Sequence, residues 1–587
     1  MTPRSTKSRE MEVAAATAPP HARPMGHNAH VARKVRKFAG VLTAAVALLA
    51  PASLASAADE ILQPASYASL STYKCQSAPL TIQPGQNLNL FDQTTTCPNA
   101  QKLSGPGAAN PFTSSAQGYI TRFEPNMVWT NGPGGVVTPR VDDLHLHHVV
   151  WLRDGVRFAA GEEKTYVKLP QGYGYKVAGN AEWGLNWMIH DLLDKPGRQV
   201  RIEWIIDWVP FIDSNNPPIK PLTGQWMDVA GDPQVYPVFD AEKGFANTQD
   251  GKFTFPDDVP QLASQAGYEE RGKISNAHRW TIPNVGPPNS KGVTLIFGAG
   301  HLHPGGLYVD VNVTRGGVTK KIFRSDARYY EPAGAVSWDV SMKATRPEWR
   351  IELQPGDVVS MSATYDVTRG SWYESMGIMP FAYVNGRGEP NSADPFEAAD
   401  AEAFQEMVDA GGILTHGRLP ENLDDKANKP LGLADPRKLK SGRLMPSQGV
   451  RIWDSFFTLG GFSAIRGFPA SAMRPPVIRP GRSVTFTSRD ALANQSVYDQ
   501  TWHTITSCAA PCNRGSGIGY PLAGGPVKFD SGQLGFASDF ANSGVVENTN
   551  VFTTPRIRKA GTYSYFCRIH PFMRGSFRVA KAEKARR

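Results

Sequence analysis

Near the C-terminus a thiol, an imidazole and a thioether fall within seven residues, Cys567-Arg-Ile-His570-Pro-Phe-Met573. Alternation of Tyr563, Tyr565 and Cys567 reads as a half-buried strand that runs into a tight loop. Soft sulfur with imidazole suits copper, and a trigonal Cys/His/His set with a weak axial Met is the ligand set of blue electron-transfer sites. The second imidazole must come from elsewhere, and His503 in the strand-like Thr501-Trp-His-Thr-Ile-Thr506 supplies it. The plainer alternative is a buried Cys beside a structural His, with Met as gap-filler. It leaves the joint spacing of the ligand types unexplained.

Three further histidine groups lie upstream: Leu144-His-Leu-His-His148, Trp187-Met-Ile-His190 and His301-Leu-His303. Side chains two apart on a strand share a face. His301 and His303 can therefore reach one ion, and so can His145 and His147. His148 points the other way unless the strand bends, so spacing alone does not choose among 145, 147 and 148. His278 and His416 read as ordinary polar residues.

The chain has 587 residues with 56 Gly and 47 Pro, and its many short alternating runs favour β-sandwiches. Such runs at 119–123, 147–152, 166–169, 184–189 and 200–208, then at 292–298, 307–313, 349–353, 357–365 and 377–384, predict two tandem antiparallel domains. One helix is expected after them. Asp394-Pro395 caps it, Glu397 stands three residues on, and Phe396, Ala399, Ala403, Phe404, Met407 and Val408 form its apolar stripe. Gly411-Gly412 ends it, and a polar linker follows to about 447.

The first 57 residues read as an export signal. Arg33-Lys-Val-Arg-Lys37 is basic, 41–49 is a short apolar core, and Ala55-Ser-Ala57 is a cleavage site. The apolar core is too short to span a bilayer, and Met25 is an alternative start. A secreted product with no membrane anchor is expected. Eight Lys/Arg and two Asp/Glu lie in 1–57, so the remainder carries only +3 of the formal +9 and a nucleic-acid partner gains no support. Of five cysteines, Cys567 is taken by the metal. In an oxidising compartment Cys75 can pair with Cys97, and Cys508 with Cys512.

The region 448–580 resembles the cupredoxins, through Gly561-Thr-Tyr-Ser-Tyr-Phe-Cys567, His570, Met573 and the upstream His503-Thr-Ile-Thr506. That resemblance implies a Greek-key sandwich with type 1 copper on His503, Cys567, His570 and Met573. Residues 110–386 resemble the copper- and ascorbate-dependent monooxygenases of the peptidylglycine α-hydroxylating and dopamine β-hydroxylating type. The likeness is carried by His147-His148 before an apolar strand, by His190, by the His301/His303 pair, by Pro355-Gly-Asp-Val-Val359 and by Glu374-Ser-Met376. It implies two jelly rolls with one copper each. His147, His148 and His190 hold the first copper. His301, His303 and Met376 hold the second, where dioxygen is bound and reduced. Met379 competes with Met376, and His145 has no counterpart. Where the peptide-hydroxylating members hold a substrate carboxylate, this chain has Ala299, Ile378 and Pro380. The implied partners are therefore dioxygen, a small neutral or apolar substrate, and a small reductant or redox protein. Multicopper oxidases, which flank their Cys with histidines, are not matched: Cys567 lies between Phe566 and Arg568.

The expected architecture is all-β, with two tandem jelly-roll sandwiches, a short helical linker and a cupredoxin sandwich. The expected segments are export signal 1–57, lead 58–110, first jelly roll 111–240, second 241–386, helix and linker 387–447, cupredoxin 448–580 and basic tail 581–587. The function implied is a secreted copper oxidoreductase, a monooxygenase-like dicopper module fused to a blue-copper domain. The alternative is a non-enzymatic copper-binding or electron-carrying protein on the same scaffold.

Overall fold

The computed structural model describes residues 67–581 apart from short gaps and the stretches 260–275, 398–406, 410–434, 462–472, 491–502, 513–526 and 535–549. The expected export signal, most of the expected helix and nearly all of the basic tail lie outside the described residues. The described elements are strands and short 3-10 turns. Among the described residues no helix is long and apolar enough to cross a membrane.

The first sandwich sets an eight-stranded sheet against a four-stranded one. Its spine is the antiparallel pair Gln117–Trp129 and Arg198–Pro210. Val200, Ile202, Trp204 and Ile206 are buried while Arg201, Glu203 and Ile205 are half-buried, the period of two that a half-covered strand demands. Phe123 stacks on Phe158 at 4.0 Å and meets Trp151 edge-on at 4.7 Å, filling the space between the sheets. The facing sheet carries Leu144–Leu152 between Val156–Ala160 and Glu182–Asp191. Residues 58–110, expected as a lead, instead supply strands to this sandwich. Ser71–Gln76 pairs with Arg198–Pro210 and Asn89–Thr95 with Glu182–Asp191, and the disulfide Cys75–Cys97 joins this part to itself. Asn89–Thr95 is a mostly exposed edge strand, so its hydrophobic alternation is faint.

In the second sandwich Gly377–Asn385 lies between Val293–Gly298 and Thr223–Asp228. The last of these was expected in the first domain, so strand exchange blurs that boundary. A seven-stranded sheet covers it, with Val309, Val311, Val359, Met361 and Ala363 inward. Ile296, Phe297, Ala382 and Val384 reach across into the core of the first sandwich, making one apolar seam. The expected helix is corrected in part: Met407–Asp409 is a strand paired with Val340–Thr345. Ladder bonds offered by that sheet edge outweigh the local periodic pattern. Asp394 does accept from the Phe396 amide, but it also grips Arg315.

Residues 448–580 form two four-stranded sheets and a separate two-stranded pair. Val450–Trp453 runs parallel to Thr485–Ser488, and Val477–Ile478 parallel to Arg574–Val579. These crossovers are those of a Greek key rather than a meander. Gly561–Phe566 pairs antiparallel with both Thr506–Cys508 and Arg574–Val579 around a core of Phe486, Tyr565 and Phe577.

Candidate metal centres

The antiparallel pair ending at Phe566 delivers Cys567 to the top of the sandwich, where His503 begins the neighbouring strand. Cys567 Sγ lies 3.9 Å from His503 Nδ1 and 3.8 Å from His570 Nδ1. A trigonal ion bonded to sulfur at about 2.3 Å and nitrogen at about 2.05 Å separates those atoms by about 3.8 Å. Among the described residues this is the one His/Cys/Asp/Glu group that brings three ligand atoms within 4.8 Å of one another. Met573 is fully buried beside it, and its carbonyl accepts from the Cys567 amide while its own amide donates to the His570 carbonyl. The loop is thus closed on itself. The amides of Thr504 and His570 both donate to Sγ at 3.3 Å. Burial pushes the Cys567 thiol up, but His503 and His570 hold it well below the ordinary thiol range, so the thiolate is the resident form. His503 Nε2 meets Asp490 at 2.9 Å, which fixes the proton there and leaves Nδ1 for the metal.

The upstream histidines converge at the seam of the two sandwiches. On Leu144–Leu152 the pairing skips one residue: Met188 faces His148 and Ile189 faces Leu146, leaving His147 in a bulge. A bulge re-aims side chains. Here it brings His147 Nδ1 within 3.1 Å of His148 Nδ1, about the separation of two nitrogens at ~2 Å from one ion. His148 Nε2 faces the amide oxygens of Asn89 and Asn186 at 3.1 and 3.0 Å. Those oxygens only accept, so Nε2 carries the proton and Nδ1 keeps its lone pair. The His190 ring lies 4.5 Å from His147, and His147 lies 4.4 Å from His303. His145 faces His190 directly in register, with ring centroids 4.6 Å apart. Burial, followed by neighbouring charges, pushes His145, His147 and His190 well below the usual imidazole range and His148 to about 4. All four are therefore neutral, the ligating form.

His301 Nδ1 donates to Glu163 at 3.0 Å, and its Nε2 is buried with no hydrogen-bond partner among the described residues. That is the arrangement of a carboxylate-oriented metal ligand. Pairing of His301 with Ile378 and of Leu302 with Gly377 sets Met376 one register step on, beside His303. Met379 faces Met227 instead, deep in the apolar core. Tyr365 Oη accepts from the His303 amide at 3.0 Å and donates to the Met376 carbonyl at 2.6 Å, tying both candidate ligand strands together. Tyr365→Phe is expected to cost about 1–3 kcal/mol, because it leaves a buried amide and a buried carbonyl without that partner. Urea unfolding of metal-free protein, with a copper titration of the same variant, measures both effects.

Several site groups carry no signal in sequence spacing. Glu162, Glu163 and Lys164 form one buried loop. Glu162 accepts from the Leu146 amide at 2.7 Å and pairs with Lys164 at 2.5 Å, while Glu163 reaches across to His301. Trp338 lies against His145, His147 and His303 at 4.6, 5.2 and 4.6 Å. A cavity of about 480 Å³ opens at the seam, lined by His148, His301, Glu163 and Met376 together with apolar side chains that include Phe158 and Phe381. Ala299, Ile378 and Pro380 line it as well, and so does Arg157, a guanidinium that the sequence comparison did not flag.

No family model matches the chain, and no curated protein is similar to it in sequence. Among solved structures, a purple cupredoxin from Nitrosopumilus maritimus aligns with 24% of this chain and 100% of its own, at 18% identity and a TM-score of 0.14. A Cu(I) form of an amicyanin mutant aligns with 25% of this chain and 92% of its own, at 17% identity and a TM-score of 0.12. A reduced form of a second amicyanin mutant covers 25% and 91%, at 18% identity and a TM-score of 0.13. By its own strand order and ligand geometry the C-terminal sandwich is cupredoxin-like. It packs directly on the second sandwich. Arg568 lies over Trp372 and Tyr373 at 4.8 and 4.9 Å and reaches Asp530, while Phe566 and Cys512 join the core of the second sandwich.

Proposed function

We propose that this chain is a secreted copper oxidoreductase in which a dicopper, monooxygenase-like module receives electrons from its own cupredoxin. The observation that supports it is a run of imidazoles at the seam, with the cupredoxin packed against the same second sandwich. The His190 ring stands 4.5 Å from His147, which in turn stands 4.4 Å from His303, and Arg568, next to Cys567, lies over Trp372 at 4.8 Å. In this reading His147, His148 and His190 hold one copper, and His301, His303 and Met376 hold the other. Copper there supplies one-electron redox chemistry toward dioxygen. Glu163 orients His301 and keeps its proton on Nδ1, and Asn89 with Asn186 does the same for Nε2 of His148. Phe158, Ile378 and Phe381 exclude water from the cavity and receive a small neutral or apolar substrate.

Copper analysis and oxygen consumption on the full chain test the reading. About three coppers per chain are expected, one of them blue, with substrate-dependent dioxygen uptake in the presence of a small reductant. A reproducible value near one would make the upstream histidines structural. Three coppers without turnover would favour the electron-carrier alternative. Glycine-extended peptides are expected to be poor substrates, because Ala299, Ile378 and Pro380 offer a carboxylate no charge-assisted hydrogen bond.

A further inference from the structure

We propose that His145 is a fourth histidine ligand of the first jelly-roll centre, binding the same copper as His190. This rests on the dicopper reading above. His145 is wholly buried, and neither of its ring nitrogens has a hydrogen-bond partner among the described residues. The same holds for both nitrogens of His190, which is 4% exposed. A neutral imidazole carries one donor and one acceptor, and leaving such groups unmet in the interior is costly. A side chain needed only for packing would carry no nitrogen here.

The geometry points the same way. His190 sits directly across the ladder from His145, and their rings meet edge to face at 4.6 Å. Trp338 stacks on the face of His145 at 4.6 Å and 23°. Stacking occupies the ring face and leaves the ring edge, where the lone pair lies, free to bind. The bulge at His147 turns that side chain so that its Nδ1 lies 3.1 Å from His148 Nδ1 and its ring 4.5 Å from His190, the same ring that His145 meets. His190 thus has a histidine neighbour on each side, His145 at 4.6 Å and His147 at 4.5 Å between ring centroids.

The test uses the full chain in a Cys567→Ala background, so that Cu(II) signals arise from the histidine centres alone. Chelator competition and nitrogen hyperfine spectra are compared for the parent and for His145→Phe, which preserves the stacking on Trp338. His145→Phe is expected to weaken one copper by roughly tenfold or more and to alter its nitrogen couplings. The weakened copper is the one also lost in His190→Ala. Unchanged affinity and couplings would overturn the proposal, as would weakening of the copper lost in His301→Ala. If His145→Phe does not fold, His145→Gln and the number of imidazoles coupled to copper in the unmutated centre decide: four support the proposal and three overturn it. If the parent binds no copper at all, the dicopper reading itself fails.

Discussion

Cys567→Ala removes the intense visible absorption of the copper-loaded, oxidised protein completely. Four of the five cysteines are locked in the disulfides Cys75–Cys97 and Cys508–Cys512, so Cys567 is the single thiolate available for charge transfer to Cu(II). Two amide hydrogen bonds to Sγ, with the His503 and His570 rings 3.9 and 3.8 Å away, hold that thiolate ready in the metal-free site. The variant keeps any copper bound at the seam, because no ligand there is shared with this loop. Met573→Leu behaves differently: a weak axial donor is lost, colour persists and the reduction potential shifts. Absorption spectra with metal analysis on the same samples read both effects. A surviving band in Cys567→Ala would mean that the thiolate donor had been misassigned.

The second large effect is kinetic. When the blue centre begins reduced and the seam coppers begin oxidised, blue colour returns at a rate independent of protein concentration. The cupredoxin is already seated, so no tethered search precedes transfer. Arg568 is the clamp, adjacent in sequence to the ligand Cys567 and held between Trp372, Tyr373 and Asp530. Arg568→Ala gives up a buried cation–π contact of up to about 2 kcal/mol, which slows the transfer roughly tenfold while the blue band stays in place. Rapid mixing measures it. Colour returning only with second-order dependence on concentration, or with the same rate in Arg568→Ala, would leave the fusion as mere co-export of two copper proteins.

What the amino-acid order disclosed and what it hid have physical causes. The blue-site ligands stand within one loop and one neighbouring strand, so local spacing carries them. The strands of both jelly rolls were legible because each has one covered face and a period of two. The choice among His145, His147 and His148 was not legible, since it depends on a bulge defined only by the partner strand Glu182–Asp191. Glu163 and Trp338 come from loops far along the chain, and nothing in their neighbours marks them. The expected helix had a sound cap and stripe, yet Met407–Asp409 joined a sheet edge that no local pattern describes. Ser71–Gln76 was passed over because its polar residues concealed a strand lying between two others.

The seating of the cupredoxin has a further consequence. His503, Cys567 and Met573 are wholly buried, and His570 is 6% exposed. A redox centre sealed in this way is electrically insulated. A chance oxidant in the surroundings cannot drain it by touching an exposed imidazole, and a competing carrier cannot short-circuit it. If copper sits there as proposed, whatever recharges it must approach through a wall of the sandwich other than the one packed on Trp372 and Tyr373.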